Sequence, residues 1–448
     1  MSDLTSKEVI ILGGGISGLA VGWFLHQKGI PFKLFEKQDE TGGAVTSKRV
    51  HGSVMDFGPN SLRDRSGKIR ELADDLGISQ DLIQISEALK TRYIVRDRSL
   101  KELKPSLFSL ISTKVLSPKA KLRLLGEPLA QTKSPSDESI GDFLERRIGK
   151  EAVDYLVDPV FSGIYAGNIY RISKKSVLPK LAEYEQNFGS VLWGAIRSKK
   201  EKEKVKPMVL SFKKGIQQLT DAISQKISDH IIYDEVKIVE KAEPGYRVQT
   251  ENEEFTSKNV ISCIPAYSLG HLLRGFEPEL SSELINIDYA PMLSTQVLFK
   301  ASDINPKREG FGFLVPRKER IRLLGAIWKS NIFPELTADD YFHANLMTGG
   351  AHDRGILIES VEDVEKEILN EFRELMGIDV QPAFVKSHLW KKAIPQFDVG
   401  YEQTKQRFKQ FESENPGLYL GGNYRWGVSV PDCIQGAEEL VREMADHL

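Results

Sequence analysis

The chain has 448 residues, 61 of them basic and 63 acidic, for a formal net charge of −2 at pH 7. That length supports two or three domains with a large core, and the balanced charge excludes an overall electrostatic case for nucleic acid. Only Cys263 and Cys433 are present, which argues against a disulfide framework and fits a reducing compartment.

The first element is the most informative. The apolar run Val9-Ile10-Ile11-Leu12 enters Gly13-Gly14-Gly15-Ile16-Ser17-Gly18, a helical stretch follows, and Lys33-Leu34-Phe35-Glu36 ends in an acid. Strand, glycine turn, helix, strand and acid in that order form the dinucleotide fingerprint. Gly13 permits the tight turn, Gly15 lets a pyrophosphate approach the backbone, and Gly18 lets the helix pack close to the strand. The phosphates meet the free N–H groups and positive dipole end of the helix, and Glu36 stands where a carboxylate accepts from ribose hydroxyls. A glycine cluster without this context is a structural turn. Next come Thr41-Gly42-Gly43-Ala44 and Met55-Asp56-Phe57-Gly58-Pro59-Asn60-Ser61. A paired glycine past the ribose acid lets the main chain run against a bulky cofactor; the plain alternative is a hairpin with glycine turns.

We divide the chain as follows. Residues 1–62 form the first part of a dinucleotide-binding domain, and 63–91 form helices of the substrate domain, with Ile69, Leu72, Ala73 and Leu76 at helical spacing before Gly77. Residues 92–200 form a mostly helical insertion. Its basic residues (Arg92, Arg96, Arg98, Lys101, Lys104, Lys114, Lys119, Lys121, Arg123) interleave with Leu103, Leu107, Phe108, Leu110, Ile111, Val115 and Leu116. That pattern suits either a peripheral membrane contact or a solvated helical face over a core. The lysines and glutamates of 199–206 read as a linker. Residues 207–279 return to the dinucleotide domain through a helix over 217–227 and strands over 231–239, 246–250 and 260–264. Residues 280–400 form an antiparallel-sheet domain, with strands over 294–299, 311–315 and 322–328 and a helix over 361–376. Residues 401–448 close the first domain with the strand Leu418-Tyr419-Leu420, the turn Gly421-Gly422-Asn423 and a last helix from 428. The fold class is therefore α/β: a discontinuous Rossmann-like dinucleotide-binding domain, an antiparallel-sheet substrate domain and a mostly helical insertion.

The glycine segments after Glu36 resemble the family of FAD-dependent amine oxidases, carotenoid desaturases and porphyrinogen oxidases. The resemblance sharpens toward the protoporphyrinogen oxidases in Gly427-Val428-Ser429-Val430-Pro431-Asp432-Cys433-Ile434, Asp158-Pro159-Val160-Phe161-Ser162-Gly163-Ile164-Tyr165-Ala166-Gly167 and Gly310-Phe311-Gly312-Phe313-Leu314-Val315-Pro316. Gly325-Ala326-Ile327-Trp328, Thr348-Gly349-Gly350-Ala351 and Trp390-Lys391-Lys392-Ala393-Ile394-Pro395-Gln396 keep the same motif order. The resemblance spans essentially the whole chain. It implies FAD as cofactor, with Gly13, Gly14, Gly15, Ile16, Ser17 and Gly18 at the pyrophosphate, and Glu36 and Lys37 at the ribose. Ala44, Gly58, Pro59, Asn60 and Ser61 would line the flavin, and Val236, Trp390, Val428, Ser429 and Val430 complete the set. It also implies that Arg92 pairs with a substrate propionate, a task a guanidinium performs bidentately, and that Gly163, Gly312, Leu314 and Met347 surround the macrocycle. Surface exposure for Arg92 and core packing for Leu314 and Met347 are the plain alternatives.

The amine oxidases' lysine near the flavin is missing, with Val297 about where it would fall, and Ala44 replaces a larger residue. No catalytic base, Ser/His/Asp triad or metal spacing is evident. The resemblance implies oxidation of protoporphyrinogen IX in haem synthesis, with oxygen as acceptor and hand-off of the product to ferrochelatase. Coproporphyrinogen III is the alternative substrate. Carotenoid desaturase, amine oxidase and a non-catalytic carrier of the same fold are the other readings. No window reads as a membrane-spanning helix, and residues 1–7 read as neither signal nor transit peptide. A cytoplasmic protein is expected, peripheral on the inner face of the membrane if the basic region binds lipid.

Overall fold

The computed structural model describes residues 2–3, 8–85, 91–104, 112–130, 137–198, 206–304 and 308–445. The linker expected at 199–206, all but its last residue, and Leu107, Phe108, Leu110 and Ile111 lie outside the described residues. A five-stranded, fully parallel sheet has the spatial order Ile231–Tyr233, Phe32–Glu36, Val9–Leu12, Asn259–Ser262, Leu418–Leu420. Every residue of Val9–Leu12 is buried, as a central parallel strand covered on both faces requires. Alternation divides the faces. Val9, Ile11 and Leu34 pack under the helices Ile16–Gln27, Gln217–Lys226 and Val430–Ala445. Ile10, Leu12 and Phe35 pack on Ala266–Leu273, Pro278–Asn286 and Tyr401–Glu414.

A seven-stranded sheet has the order Phe384–Pro395, Tyr289–Lys300, Tyr341–Gly349, Leu323–Trp328, Gly312–Leu314, Arg92–Arg96, Ser99–Leu103. Its pairings are antiparallel except for the parallel contact between Gly312–Leu314 and Arg92–Arg96. Leu293, Val297, Phe299, Ala344, Leu346, Phe313 and Trp328 form a core with the helix Val361–Met376, contributing Val364, Ile368 and Phe372. The alternate residues of the same strands face the other way, toward the parallel sheet.

Three readings need correction. Residues 92–103 are a hairpin of this sheet and not the start of a helical insertion; Asp97 and Arg98, at φ 52° and 51°, make the tight left-handed turn that joins its strands. Arg92 and Arg96, which contributed to the helical reading, stand at the ends of a strand whose buried residues are Ile94 and Val95. Second, 63–91 is helical over Lys68–Asp75, with a short 3-10 turn at Ser79–Asp81; Leu62–Asp64 and Leu82–Gln84 are strands held on either side of Met208–Phe212. Third, the strand expected over 231–239 is two. Ile231–Tyr233 joins the parallel sheet, and Ile238–Ala242 begins an antiparallel unit with Gly245–Gln249 and Glu254–Ser257. Between the hairpin and residue 198 the described chain is helical, from Pro118–Leu125 through Ile140–Ile148 and Asp158–Tyr165 to Val191–Ser198.

Candidate active site

The two sheets enclose a cavity of about 1760 Å³. Pockets for one small ligand measure roughly 300–1,000 Å³, so this one has room for a dinucleotide and a second molecule. One end lies at the carboxyl edge of the parallel sheet. Gly13 turns there at φ 96°, and the helix Ile16–Gln27 starts after Gly15 with no side-chain cap. Its first N–H groups are thus available to an anion. A Cβ on Gly15 would meet nothing within 4 Å, so this glycine faces open cavity, whereas a Cβ on Gly18 would stand 1.9 Å from the Gly13 carbonyl oxygen. Gly13, Gly15, Ile16 and Ser17 line the cavity; Gly14 and Gly18 lie behind them. Gly14 N–H donates to Glu36 Oε2 at 2.7 Å, and Gln38 N–H donates to Oε1 at 2.9 Å. An ionised carboxylate accepts about four hydrogen bonds, so Glu36 retains capacity for ribose hydroxyls. The cradle therefore fits a dinucleotide.

Glu36, Lys37, Ala44, Gly58, Pro59, Asn60, Ser61, Val236, Trp390, Val428, Ser429 and Val430 all line the same cavity. Gly58 must be glycine here, because a Cβ would stand 1.8 Å from the Ala44 carbonyl oxygen. At the start of the last helix Ser429 Oγ accepts from Asp432 N–H at 3.2 Å while Asp432 Oδ2 accepts from Ser429 N–H at 3.3 Å, a reciprocal cap that fixes this turn against the cavity.

The seven-stranded sheet roofs the other end through its inward alternate residues. Met292 and Ser294, Ile327, Met347, and Lys386, His388, Trp390 and Ile394 line the wall. Trp390 Nε1 donates to the Phe57 carbonyl at 2.9 Å, and His388 lies against the Trp390 ring. Of the residues assigned to substrate, Gly163 and Met347 line the cavity; Arg92, Gly312 and Leu314 do not. Leu314 supports Gly163 from behind, where a Cβ on Gly163 would lie 3.0 Å from Leu314 Cδ2. Gly312, at φ 133°, is required by backbone crowding, since its Cβ would fall 2.0 Å from the Ala326 carbonyl. The Arg92 guanidinium stacks over the Phe311 ring at 4.8 Å.

Behind Gly58–Ser61 lies a buried polar network that the sequence reading missed. Lys329, fully buried, places Nζ 2.7 Å from Asp56 Oδ2 and 3.1 Å from the Asn60 carbonyl. Gln296 Nε2 donates to the Asp56 carbonyl at 2.6 Å, His343 Nε2 lies 2.8 Å from Gln296 Oε1, and Asn345 Nδ2 donates to Asn60 Oδ1 at 2.8 Å. A buried lysine thus does stand beside Gly58–Ser61, the segment expected at the flavin, though it arises from 329 and not from 291–299, and its charge is engaged by Asp56. Val297 points to the opposite face, into the helix-packed core. The signal in the sequence was alternation: Gln296, His343 and Asn345 fall on the polar side of strands whose other side is apolar.

Burial pushes the Cys433 thiol up to about 12 and Cys263 higher still, so neither is a thiolate at neutral pH. Burial likewise raises Tyr165 to about 12 and lowers His388, so both stay uncharged at neutral pH. The arrangement binds, orients and shields. Among the described residues no cluster of His, Cys, Asp or Glu could hold a metal ion, and no helix is long and apolar enough to cross a membrane.

Comparison with known proteins agrees with this geometry. Protoporphyrinogen oxidase 2, chloroplastic/mitochondrial, of Arabidopsis thaliana is 29% identical over 96% of this chain and 92% of its own length. Coproporphyrinogen III oxidase of Bacillus subtilis (strain 168) is 26% identical over the whole of both chains. A solved structure from Exiguobacterium sp. 255-15 superposes with a TM-score of 0.85 at 22% identity, covering 99% of this chain and 100% of that one. The flavin containing amine oxidoreductase family matches residues 16–445, and the chain belongs to that family.

Proposed function

We propose that this protein is an FAD-dependent porphyrinogen oxidase of haem biosynthesis, with protoporphyrinogen IX as substrate and oxygen as final acceptor. The observation that carries it is one continuous cavity with a dinucleotide cradle at one end and an apolar roof of Met292, Met347 and Ile327 at the other, in a chain whose full-length relatives bear porphyrinogen oxidase names. When bound, FAD supplies the acceptor for hydride from the macrocycle's methylene carbons. The chain's own part is positioning: Gly58–Ser61 forms the flavin-side wall, the buried Lys329–Asp56 pair fixes that wall, and the methionines exclude water from the reacting face. Such a methylene is already an activated donor, so holding it against the cofactor is the main task left to the chain. The Bacillus relative makes coproporphyrinogen III the second reading.

The test is aerobic fluorescence turnover of the FAD-loaded protein, offered both porphyrinogens in parallel. Faster turnover of protoporphyrinogen IX is expected. Preference for coproporphyrinogen III reassigns the substrate, and turnover of neither removes the function.

A peripheral membrane contact belongs to the same proposal, along with hand-off of product to ferrochelatase. Leu122, Leu125 and Leu129 are exposed beside Lys119, a mixed apolar and basic surface. The hairpin no longer supports it, because Arg96 and Arg98 pair with Glu151 and Glu374. Flotation with anionic vesicles checks the contact; protein left at the bottom of the gradient retires it.

A further inference from the structure

The cavity wall beside the apolar roof carries a phenol that packing fixes in place while leaving its hydroxyl unused. Tyr165 ends the helix Asp158–Tyr165 and lines the cavity together with Gly163 and Met347. Gln396, 4% exposed, donates from Nε2 to the Tyr165 carbonyl at 2.9 Å. The next residue, Ala166, turns left-handed at φ 50° and packs with Met292 and Met347; its carbonyl accepts from Ala351 N–H at 2.7 Å. The Tyr165 ring stacks on Phe161 with centroids 5.8 Å apart and meets Phe397 edge-on at 6.5 Å. The hydroxyl itself has no hydrogen-bond partner among the described residues.

A carboxylate lines the same cavity at the start of the helix Val430–Ala445. Asp432 Oδ2 accepts from Ser429 N–H, and a Cβ on Gly427 would stand 2.9 Å from Asp432 Cβ, so the backbone holds this side chain in place. Asp432 Oδ1 has no partner among the described residues, and the residue is exposed. Burial, and then the Asp432 charge, keep the Tyr165 hydroxyl protonated at neutral pH, with Arg65 acting in the opposite sense. His388, the other neutral base on the wall, stands on the edge strand Phe384–Pro395. Tyr289–Lys300 and Tyr341–Gly349 lie between it and Leu323–Trp328, the strand on which the helix Asp158–Tyr165 packs.

Oxidation of a porphyrinogen removes more than hydride. Once hydride has left a methylene carbon the macrocycle is cationic, and a pyrrole N–H bond must break, its electron pair staying on nitrogen and its proton leaving. A neutral phenol oxygen takes a proton only while passing its own on, and an exposed carboxylate is the acceptor that such a group needs. We propose that Tyr165 and Asp432 form the proton relay of this site: the pyrrole proton passes to Tyr165 Oη as the phenol proton passes to Asp432 Oδ1, and from there to solvent. The phenol ends each round as it began, so one relay serves every round of oxidation. This rests on the proposed porphyrinogen reading and holds for either substrate, since both present the same pyrrole nitrogens.

The experiment takes FAD-loaded wild type, Y165F, D432N and Y165F/D432N through steady-state turnover of both porphyrinogens in H2O and in D2O. Phenylalanine keeps the ring contacts and asparagine keeps an acceptor for Ser429 N–H, so FAD occupancy and affinity for the product porphyrin should match the wild type. Each single variant is expected to lower kcat about a hundredfold with KM unchanged, the worth of a positioned proton acceptor. The double variant should be no slower than the slower single, because both groups serve one path. D2O should slow each variant more than it slows the wild type, since proton loss becomes the slow step; a ring that only packs would slow hydride loss and leave the solvent effect alone. An unchanged kcat in either single variant, single effects that multiply in the double, or a lower kcat without the larger D2O effect overturns the relay and leaves the function standing. A wild type that oxidises neither porphyrinogen removes the function and the relay together.

Discussion

Replacing Lys329 with methionine tests whether the buried pair holds the flavin-side wall. Lys329 and Asp56 have side chains 0% and 1% exposed, and their charges stand 2.7 Å apart. Methionine keeps most of the side-chain length and removes the ammonium. Asp56 would keep Ser47 Oγ at 2.6 Å and Ile216 N–H at 3.0 Å on its other oxygen, but its charge would be buried without a counter-ion. Removing one partner of such a pair costs about 3–5 kcal/mol. The exposed pair Lys366–Asp363, with side chains 76% and 71% exposed, supplies the control, since K366M should cost under about 1 kcal/mol. Adding D56N to K329M removes the orphaned charge and should recover much of the loss, a coupling that additivity between independent sites does not produce. Urea unfolding of the FAD-loaded proteins, followed by tryptophan fluorescence, measures all four. K329M within about 1 kcal/mol of wild type, or a double variant no more stable than K329M, refutes the reasoning. The same substitution frees the Asn60 carbonyl, so faster FAD release should accompany the lost stability.

Two further outcomes follow from the same geometry. Glu36→Ala removes the acceptor of two backbone N–H groups along with the proposed ribose contact, and should cut FAD occupancy after purification at least tenfold; full occupancy would separate Glu36 from the cofactor. His343 is held down to about 3 by burial and by the nearby Lys329 charge, against an unfolded value of about 6.5. The folded state therefore keeps it neutral where the unfolded state takes a proton. Its contribution is full above pH 6.5 and is lost as pH falls toward 3, by about 1.4 kcal/mol per pH unit at most. His343→Gln should flatten urea-unfolding stability between pH 6 and 4, relative to wild type; parallel curves would exclude the histidine as the source.

The parts legible in the sequence were those set by short-range sterics and periodicity. Strand, glycine turn, helix and acid lie within residues 9–36, and each requirement there is local: a left-handed Gly13, no Cβ at Gly15 or Gly18, and a carboxylate at a strand end. The helices Gln217–Lys226 and Val361–Met376 could be read from apolar spacing for the same reason. The roof of the cavity could not, because it depends on which strands pair. Alternation on Tyr289–Lys300 and Tyr341–Gly349 marks a polar face, but only their pairing places Gln296, His343 and Asn345 behind Asp56 and Asn60. The hairpin Arg92–Leu103 misled for a related reason: its basic and apolar residues fit a helix or a strand, and the parallel contact with Gly312–Leu314 selects the strand. Lys329 and Asp56 are separated by 273 residues. A lysine in sequence reads as a surface charge, and only a fold that buries it beside an aspartate, away from water, makes it a structural ion.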